Sequence, residues 1–159
     1  MIEINGVKDF NTDHIFDCGQ CFRFDRNETG GYDGIAFGMP VTLTQDKETV
    51  TVFGAASDSF ERVWRDFFAL DDDYSGMRDD ISHRFGDDRT IKSAMSAGKG
   101  IRILHQDPWE TVCSFIISQN NNIPRIKKII SAMSARFGEK KICGGKEYYA
   151  FPTPEALAA

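Results

Sequence analysis

Two helix starts close together in the sequence, at Asp107-Pro108-Trp109-Glu110 and at Asn122, constrain this chain more than any other feature. At the first, an acidic cap precedes a proline at the first helical position, and a Glu stands three residues after the cap. Trp109, Val112, Cys113, Ile116 and Ile117 then recur at helical spacing, which predicts one buried face. At the second, the Asn122 side-chain oxygen can accept from the free N–H groups of the next helix. That helix carries Ile126, Ile129, Ile130, Met133 and Phe137 on one stripe, with Gly138 where a terminating glycine belongs. Asn120 and Asn121 therefore lie in a helix-to-helix turn, and Arg125 stands one turn into the second helix. Three asparagines in a row are poor helix formers. One or two would satisfy such a turn. On local grounds the corner reads equally as a polar joint and as a ligand-facing group of amides and a guanidinium.

Upstream the periodicity is different. Phe22 and Phe24 alternate with Arg23 and Asp25, Gly30-Gly31 turns the chain before Tyr32–Phe37, and Val41–Thr44 and Thr49–Val52 flank a polar Gln45–Glu48 as a hairpin. Asn11–His14 predicts one short helix. From Ala55 the period is helical: Asp58 and Glu61 resemble a capping box, and Phe60, Val63, Trp64, Phe67 and Phe68 form a stripe. Further helices are expected over Tyr74–Phe85 and Thr90–Ala97, with Gly98-Lys99-Gly100 as a connector. A last helix is expected to begin near Thr153 and to run to Ala159. The fold class is α+β, an antiparallel sheet followed by helices. With 159 residues the chain holds one domain or two small ones sharing a core.

The net charge of −5 by itself argues against a nucleic-acid partner, but its distribution does not. Acidic residues crowd Asp58–Asp88. Beyond the Asn corner, Arg125, Lys127, Lys128, Arg136, Lys140, Lys141 and Lys146 face only Glu139 and Glu147. A phosphate backbone would run there. No stretch is long enough to cross a membrane, and Met1–Phe10 lacks the basic start and apolar run of an export signal. An intracellular, reducing compartment is expected. Cys18-Gly19-Gln20-Cys21 has the spacing of a thioredoxin-type redox site or of half a zinc site. Cys113 and Cys143 supply no second pair, and His14, His83 and His105 are scattered, so no metal site is expected.

The sequence resembles the 8-oxoguanine DNA glycosylase family. Gln106–Glu110, Ser114-Phe115-Ile116 and Ser118–Ile126 are similar to that family's QDP-(W/I)-E helix running into an SxNNNIxRI turn. Cys18–Phe24 is similar to its GQ-x-F-R-(W/F) segment, and Trp64–Asp71 and Tyr149–Thr153 add weaker matches in family order. The resemblance implies an antiparallel-sheet N-terminal domain over 1–100 and the first part of an α-helical glycosylase domain, incomplete, over 101–159. It implies base-excision repair of 8-oxoguanine opposite cytosine by glycosylase and lyase chemistry. The implied partner is double-stranded DNA containing an oxidised purine, with no cofactor, no membrane and no obligate protein partner. The implied location is the cytoplasm and nucleoid, or the nucleus in a eukaryote.

The oxidised base differs from guanine in carrying oxygen at C8 and a hydrogen on N7. A reader must present an acceptor to N7, and a backbone carbonyl suffices where glycine lets the chain come close. Guanine would leave that carbonyl unsatisfied, at about 1–3 kcal/mol. By resemblance the role falls to Gly19, with Phe22 as an apolar wall. As a residue on a strand, Phe22 serves the core equally well. Flipping the base costs a few kcal/mol. By resemblance Asn120 is the wedge that fills the gap, and Arg125 reads the orphaned cytosine through O2 and N3, while Asn121 and Asn122 brace the turn.

The family's catalytic lysine, on a helix-hairpin-helix element, and its aspartate lie well downstream of the Tyr149–Thr153-type segment. Both are expected downstream of Ala159, and no catalytic residue is assigned within the chain. Lys127 and Lys128 occupy no matching position and are expected to meet solvent or phosphate. The chain is expected to be the N-terminal part of a glycosylase, inactive alone. Two other readings remain: a non-catalytic nucleic-acid-binding module, and a thiol-redox or zinc protein using Cys18 and Cys21.

Overall fold

The computed structural model describes residues 1–158. Five strands form one antiparallel sheet: β1 (Ile2–Ile4), β2 (Phe24–Arg26), β3 (Tyr32–Ala36), β4 (Met39–Asp46) and β5 (Thr49–Phe53), in the order β1-β5-β4-β3-β2. Alternation sets the faces. Val41, Leu43, Val50 and Val52 point inward and are almost completely buried. Helix α1 (Thr12–Phe16) is capped by Asn11, whose side chain accepts from the His14 N–H, and it places Ile15 and Phe16 on that face. The second layer is a helical run of α2 (Ser57–Ser59), one wide π turn (Phe60–Trp64) and α3 (Arg65–Phe67).

The core between the layers is aromatic. Phe16 stacks on Phe24 at 4.4 Å, and Trp64 meets Phe67 edge-on at 5.4 Å. Phe24 lies across Gly34, its partner in register, and a Cβ at that glycine would meet the ring at 2.2 Å. The expected capping box at Asp58 does not form. Ala56 holds the cap position without a side-chain bond, and Asp58 pairs instead with Arg62 at 2.8 Å on the surface. Phe22 lies outside the strand, which starts at Phe24.

Helices α4 (Tyr74–Phe85) and α5 (Arg89–Ala97) lie on the outside and bury no residue. The chain then returns to the core. Leu104 joins the aromatic cluster, and the buried Arg102 donates to the carbonyls of Asp9 (3.0 Å), Lys8 (2.8 Å) and Ala69, with Tyr74 4.6 Å beneath it. Helices α6 (Pro108–Ser118) and α7 (Ile123–Phe137) follow as read, capped by Asp107 and Asn122. A hairpin of β6 (Lys140–Cys143) and β7 (Lys146–Tyr149) and a terminal helix α8 (Pro154–Ala158) complete the described residues, in which no helix is long and apolar enough to cross a membrane. Helix α8 starts one residue later than the expected Thr153. Ala159, the expected end of that helix, lies outside the described residues, and so do the catalytic lysine and aspartate expected downstream of it.

The buried faces of the two long helices differ. On α7, Phe137 at the end of the stripe is exposed, Ile129 and Met133 are half-buried, and Ile126 and Ile130 are buried as expected. On α6, the expected face is not: Val112 is 54% and Ile116 64% exposed, and Ser114 is the buried residue. Helical spacing fixes which residues share a face, and the neighbours that cover the face are a separate matter.

Candidate nucleic-acid interface

After α1 the chain turns sharply through Cys18–Arg23, and Gly19 takes a φ of +83°, which side-chain-bearing residues rarely adopt. Among the described residues the Gly19 carbonyl accepts no hydrogen bond. Its neighbour is bound on every side. The Gln20 amide donates to the carbonyls of Arg102 at 2.7 Å and Ile15 at 3.2 Å, its side-chain oxygen accepts from the Leu104 N–H at 3.0 Å, and its backbone carbonyl accepts from Gln106 Nε2 at 2.7 Å. The Arg23 guanidinium is buried between α6 and the hairpin. It donates to the Tyr149 carbonyl and stands 3.6 Å from Glu110, the side chains being 8% and 14% exposed. Burial pushes the Glu110 carboxyl up to about 7 against the attraction of Arg23.

The α6–α7 corner faces this turn. Asn122 accepts from the Arg125 N–H at 3.0 Å, and Asn121 donates to the Ile117 carbonyl at 2.7 Å, so both brace the joint. Asn120 is exposed with a φ of +56°, in the left-handed region that asparagine tolerates best among side-chain-bearing residues. The Arg125 side chain is exposed, and among the described residues it has no hydrogen bond or ion pair. Between turn and corner opens a cleft of about 300 Å³, lined by Gly19, Gln20, Phe22, Phe115, Asn121 and Ile123 among others. A Cβ at Gly19 would stand 3.4 Å from Ile123 Cδ1. Gly19, Phe22 and Asn121 thus line one cleft, while Asn120, Asn122 and Arg125 stand at its exposed side on the corner.

Four of the seven cations beyond the corner are engaged within the chain. Lys127 pairs with Asp25 at 2.9 Å, Lys141 with Glu139 at 2.7 Å, Lys140 with Glu147 at 2.5 Å, and Lys146 with Asp33. Lys127 also donates to the Phe24 carbonyl at 2.7 Å, so it fastens α7 to β2 instead of meeting solvent or phosphate. Of the Cys18/Cys21 pair, Cys21 is packed in the core and Cys18 is exposed. Cys18 and Cys21 are unbridged, and burial raises the Cys21 thiol to about 12, the reverse of an activated thiol. Among the described residues no three His, Cys, Asp or Glu side chains gather as metal ligands. His14 bonds the Lys99 carbonyl and His105 bonds Asp66, a carboxylate that raises the imidazole's pKa.

Sequence reasoning missed Gln20, Arg23, Gln106, Glu110 and Arg102 as the braces of this site. For two of them a signal was present: Arg23 stands between Phe22 and Phe24, and Arg102 between Ile101 and Ile103, charged side chains set among apolar neighbours.

The solved 3-methyladenine DNA-glycosylase of Archaeoglobus fulgidus, 18% identical, superposes with a TM-score of 0.71 over 99% of this chain and 58% of its own. That likeness shows the fold, which this chain shares with a part of that DNA glycosylase. The family profile for the 8-oxoguanine DNA glycosylase N-terminal domain matches residues 2–112, and this chain belongs to that family. The apo 8-oxoguanine glycosylase/lyase of Clostridium acetobutylicum is 43% identical with a TM-score of 0.90, covering 98% of this chain and 53% of its own. The same enzyme with duplex DNA carrying cytosine opposite 8-oxoguanine matches equally well, at 43% and 0.90 over 98% and 52%. The N-glycosylase/DNA lyase OGG1 of Arabidopsis thaliana is 30% identical over 90% of this chain and 40% of its own. The chain thus spans about half the length of these solved relatives and less of the curated one.

Proposed function

We propose that this chain carries the lesion-reading part of an 8-oxoguanine DNA glycosylase with lyase activity, acting on 8-oxoguanine opposite cytosine in duplex DNA. The observation that carries the reading is the Gly19 turn. An unbonded carbonyl stands on a residue without a side chain, beside an apolar cleft and opposite a corner of amides. Such a carbonyl can accept from the N7–H of the oxidised base and has nothing to accept from guanine. Phe22 forms part of the apolar wall. Asn120 wedges into the gap left by the flipped base, and Arg125, with its fork unengaged, reads cytosine O2 and N3. Asn121 and Asn122 hold the turn.

The chain alone performs no excision. A Schiff-base lysine must be desolvated and aimed at the sugar. Lys127 is spent on Phe24 and Asp25, and Lys128 is exposed. The working compartment on this reading is the one that holds chromosomal DNA: cytoplasm and nucleoid, or the nucleus in a eukaryote.

The test uses the purified chain, an 8-oxoguanine:cytosine duplex and its undamaged counterpart. The lesion duplex is expected to bind more tightly, Gly19→Ala to lose the preference, and borohydride to trap no cross-link. Equal affinity for the two duplexes would overturn the lesion-reading role. A trapped species that disappears in Lys127→Ala or Lys128→Ala would overturn the inactivity.

A further inference from the structure

Gly19 cannot hold its own carbonyl in place. With φ at +83° and no Cβ, the peptide between residues 19 and 20 has wide freedom on the Cys18 side. Its direction must be set from the Gln20 side, and there the chain is clamped at two points. The Gln20 side chain makes three bonds, to the carbonyls of Ile15 and Arg102 and from the Leu104 N–H. The next carbonyl, that of Gln20 itself, accepts from Gln106 Nε2 at 2.7 Å. These two anchors bracket the Gln20 Cα, and they leave the Gly19 carbonyl as the unbonded group of the turn.

Gln106 is also the residue before the Asp107 cap of α6. Its amide therefore couples the Gly19 turn to the helix that forms the opposite wall of the cleft through Phe115. Among the described residues the Gln106 side chain has this one hydrogen bond. The side chain is half-buried, and its amide takes the Gln20 carbonyl of the turn as its partner.

We propose that Gln106 is a positioning residue for lesion discrimination: by holding the Gln20 carbonyl it aims the Gly19 carbonyl across the cleft. Gln20 supplies the second anchor. The proposal rests on the reading of Gly19 as the N7–H acceptor. It adds that the acceptor's aim, and not only its presence, comes from a side chain outside the cleft.

The sequence offers a direct probe, because Gly19-Gln20 is its one Gly-Gln pair. Labelling glycine with carbonyl carbon-13 and glutamine with nitrogen-15 gives a single correlated NMR signal from that peptide. In the wild-type chain one sharp signal is expected. In Gln106→Ala it should move or broaden, and the preference for an 8-oxoguanine:cytosine duplex over an undamaged one should fall about tenfold, as for the loss of one polar contact. Affinity for undamaged DNA should change less than twofold. A Gln106→Ala chain that keeps both signal and preference overturns the positioning role and leaves the Gly19 reading standing. A wild-type chain without lesion preference overturns both. Where Gln106→Ala does not fold, Gln106→Glu replaces the donor by an oxygen of the same shape. If neither variant folds, the bond is structural and the proposal fails.

Discussion

A carboxylate beside a guanidinium usually ionises more readily than in water, and Glu110 does the reverse. Burial is the largest influence and raises it to about 7, while Arg23 at 3.6 Å recovers only part of the cost. Burial also lowers Arg23 from its ordinary value, so desolvation outweighs attraction for both partners. A carboxyl whose folded pKa lies above its unfolded value of 4.5 favours the folded state below 4.5, and that contribution is lost as pH rises through about 7. Unfolding free energy should therefore fall between pH 4.5 and 7, by up to about 3 kcal/mol. Urea unfolding at pH 5 and 7.5 should show the fall in the wild type and not in Glu110→Gln. Asp9 and Asp33 are lowered, so their contributions are present above the ordinary 3.8 and lost on acidification, outside the window. His105 is raised by its half-exposed bond to Asp66, so its contribution fades above 6.5, and His105→Gln controls for it. An equal slope in wild type and Glu110→Gln would remove the buried pair from the account. The sequence presents Glu110 as the distal member of a cap, and that is half right. The Glu110 N–H does donate to Asp107 at 2.9 Å, but the carboxylate turns to Arg23. Spacing reveals the local option; which option wins depends on a residue far away in the chain.

Among the elements, the joint between α7 and the β6–β7 hairpin shows how a correct residue can be read for an incorrect reason. The sequence predicts Gly138 as a helix-terminating glycine, a residue most often favoured there for its access to positive φ. Its φ is −87°, open to any residue. What it supplies is room: a Cβ there would lie 1.9 Å from the Ala150 carbonyl and 2.6 Å from that of Ser134. Alanine for glycine at an unstrained helix end commonly stabilises slightly. Here the opposite sign is expected, a loss of about 1–3 kcal/mol by overpacking, read as a lower guanidinium midpoint in Gly138→Ala. An unchanged or raised midpoint would mean that the hairpin yields easily. The hairpin itself had a sequence signal, since Gly144-Gly145 stands between two four-residue strands with both glycines at positive φ. Lys-Lys-Ile-Cys and Lys-Glu-Tyr-Tyr alternate too weakly to declare a strand. Strands β2 to β5 were legible, β4 and β5 through Val and Leu positions that alternate cleanly, as were the caps of α6 and α7, whereas the three-residue β1 was not singled out. The cleft was legible only through its motifs: Gly19 and the Asn corner lie about a hundred residues apart in sequence, and periodicity says nothing of such a meeting.

At the scale of the whole molecule, two opposed surface properties decide how the chain behaves in solution. Its net charge of −5 keeps copies apart. Against that, Val112, Phe115 and Ile116 on α6 are 54%, 67% and 64% exposed, Ile123 continues the patch onto the corner, and Met77, Ile81 and Phe85 form a second exposed row along α4. Contiguous apolar surface of this kind favours association. Sedimentation should show a mass that rises with protein concentration. Added salt should strengthen the association, because it screens the like charge and leaves the apolar contact intact. The DNA binding proposed for this chain is expected to respond in the opposite sense, since salt weakens phosphate contacts. The two processes are thus separable by one titration of ionic strength. Phe115→Lys and Ile116→Lys alter exposed positions, so each should change stability by no more than about 0.5 kcal/mol while reducing the association. A chain that stays monomeric at high salt and high concentration would show that these rows are too discontinuous to pair. Association that survives both substitutions would move the contact to the Met77–Phe85 row, where Ile81→Lys tests it.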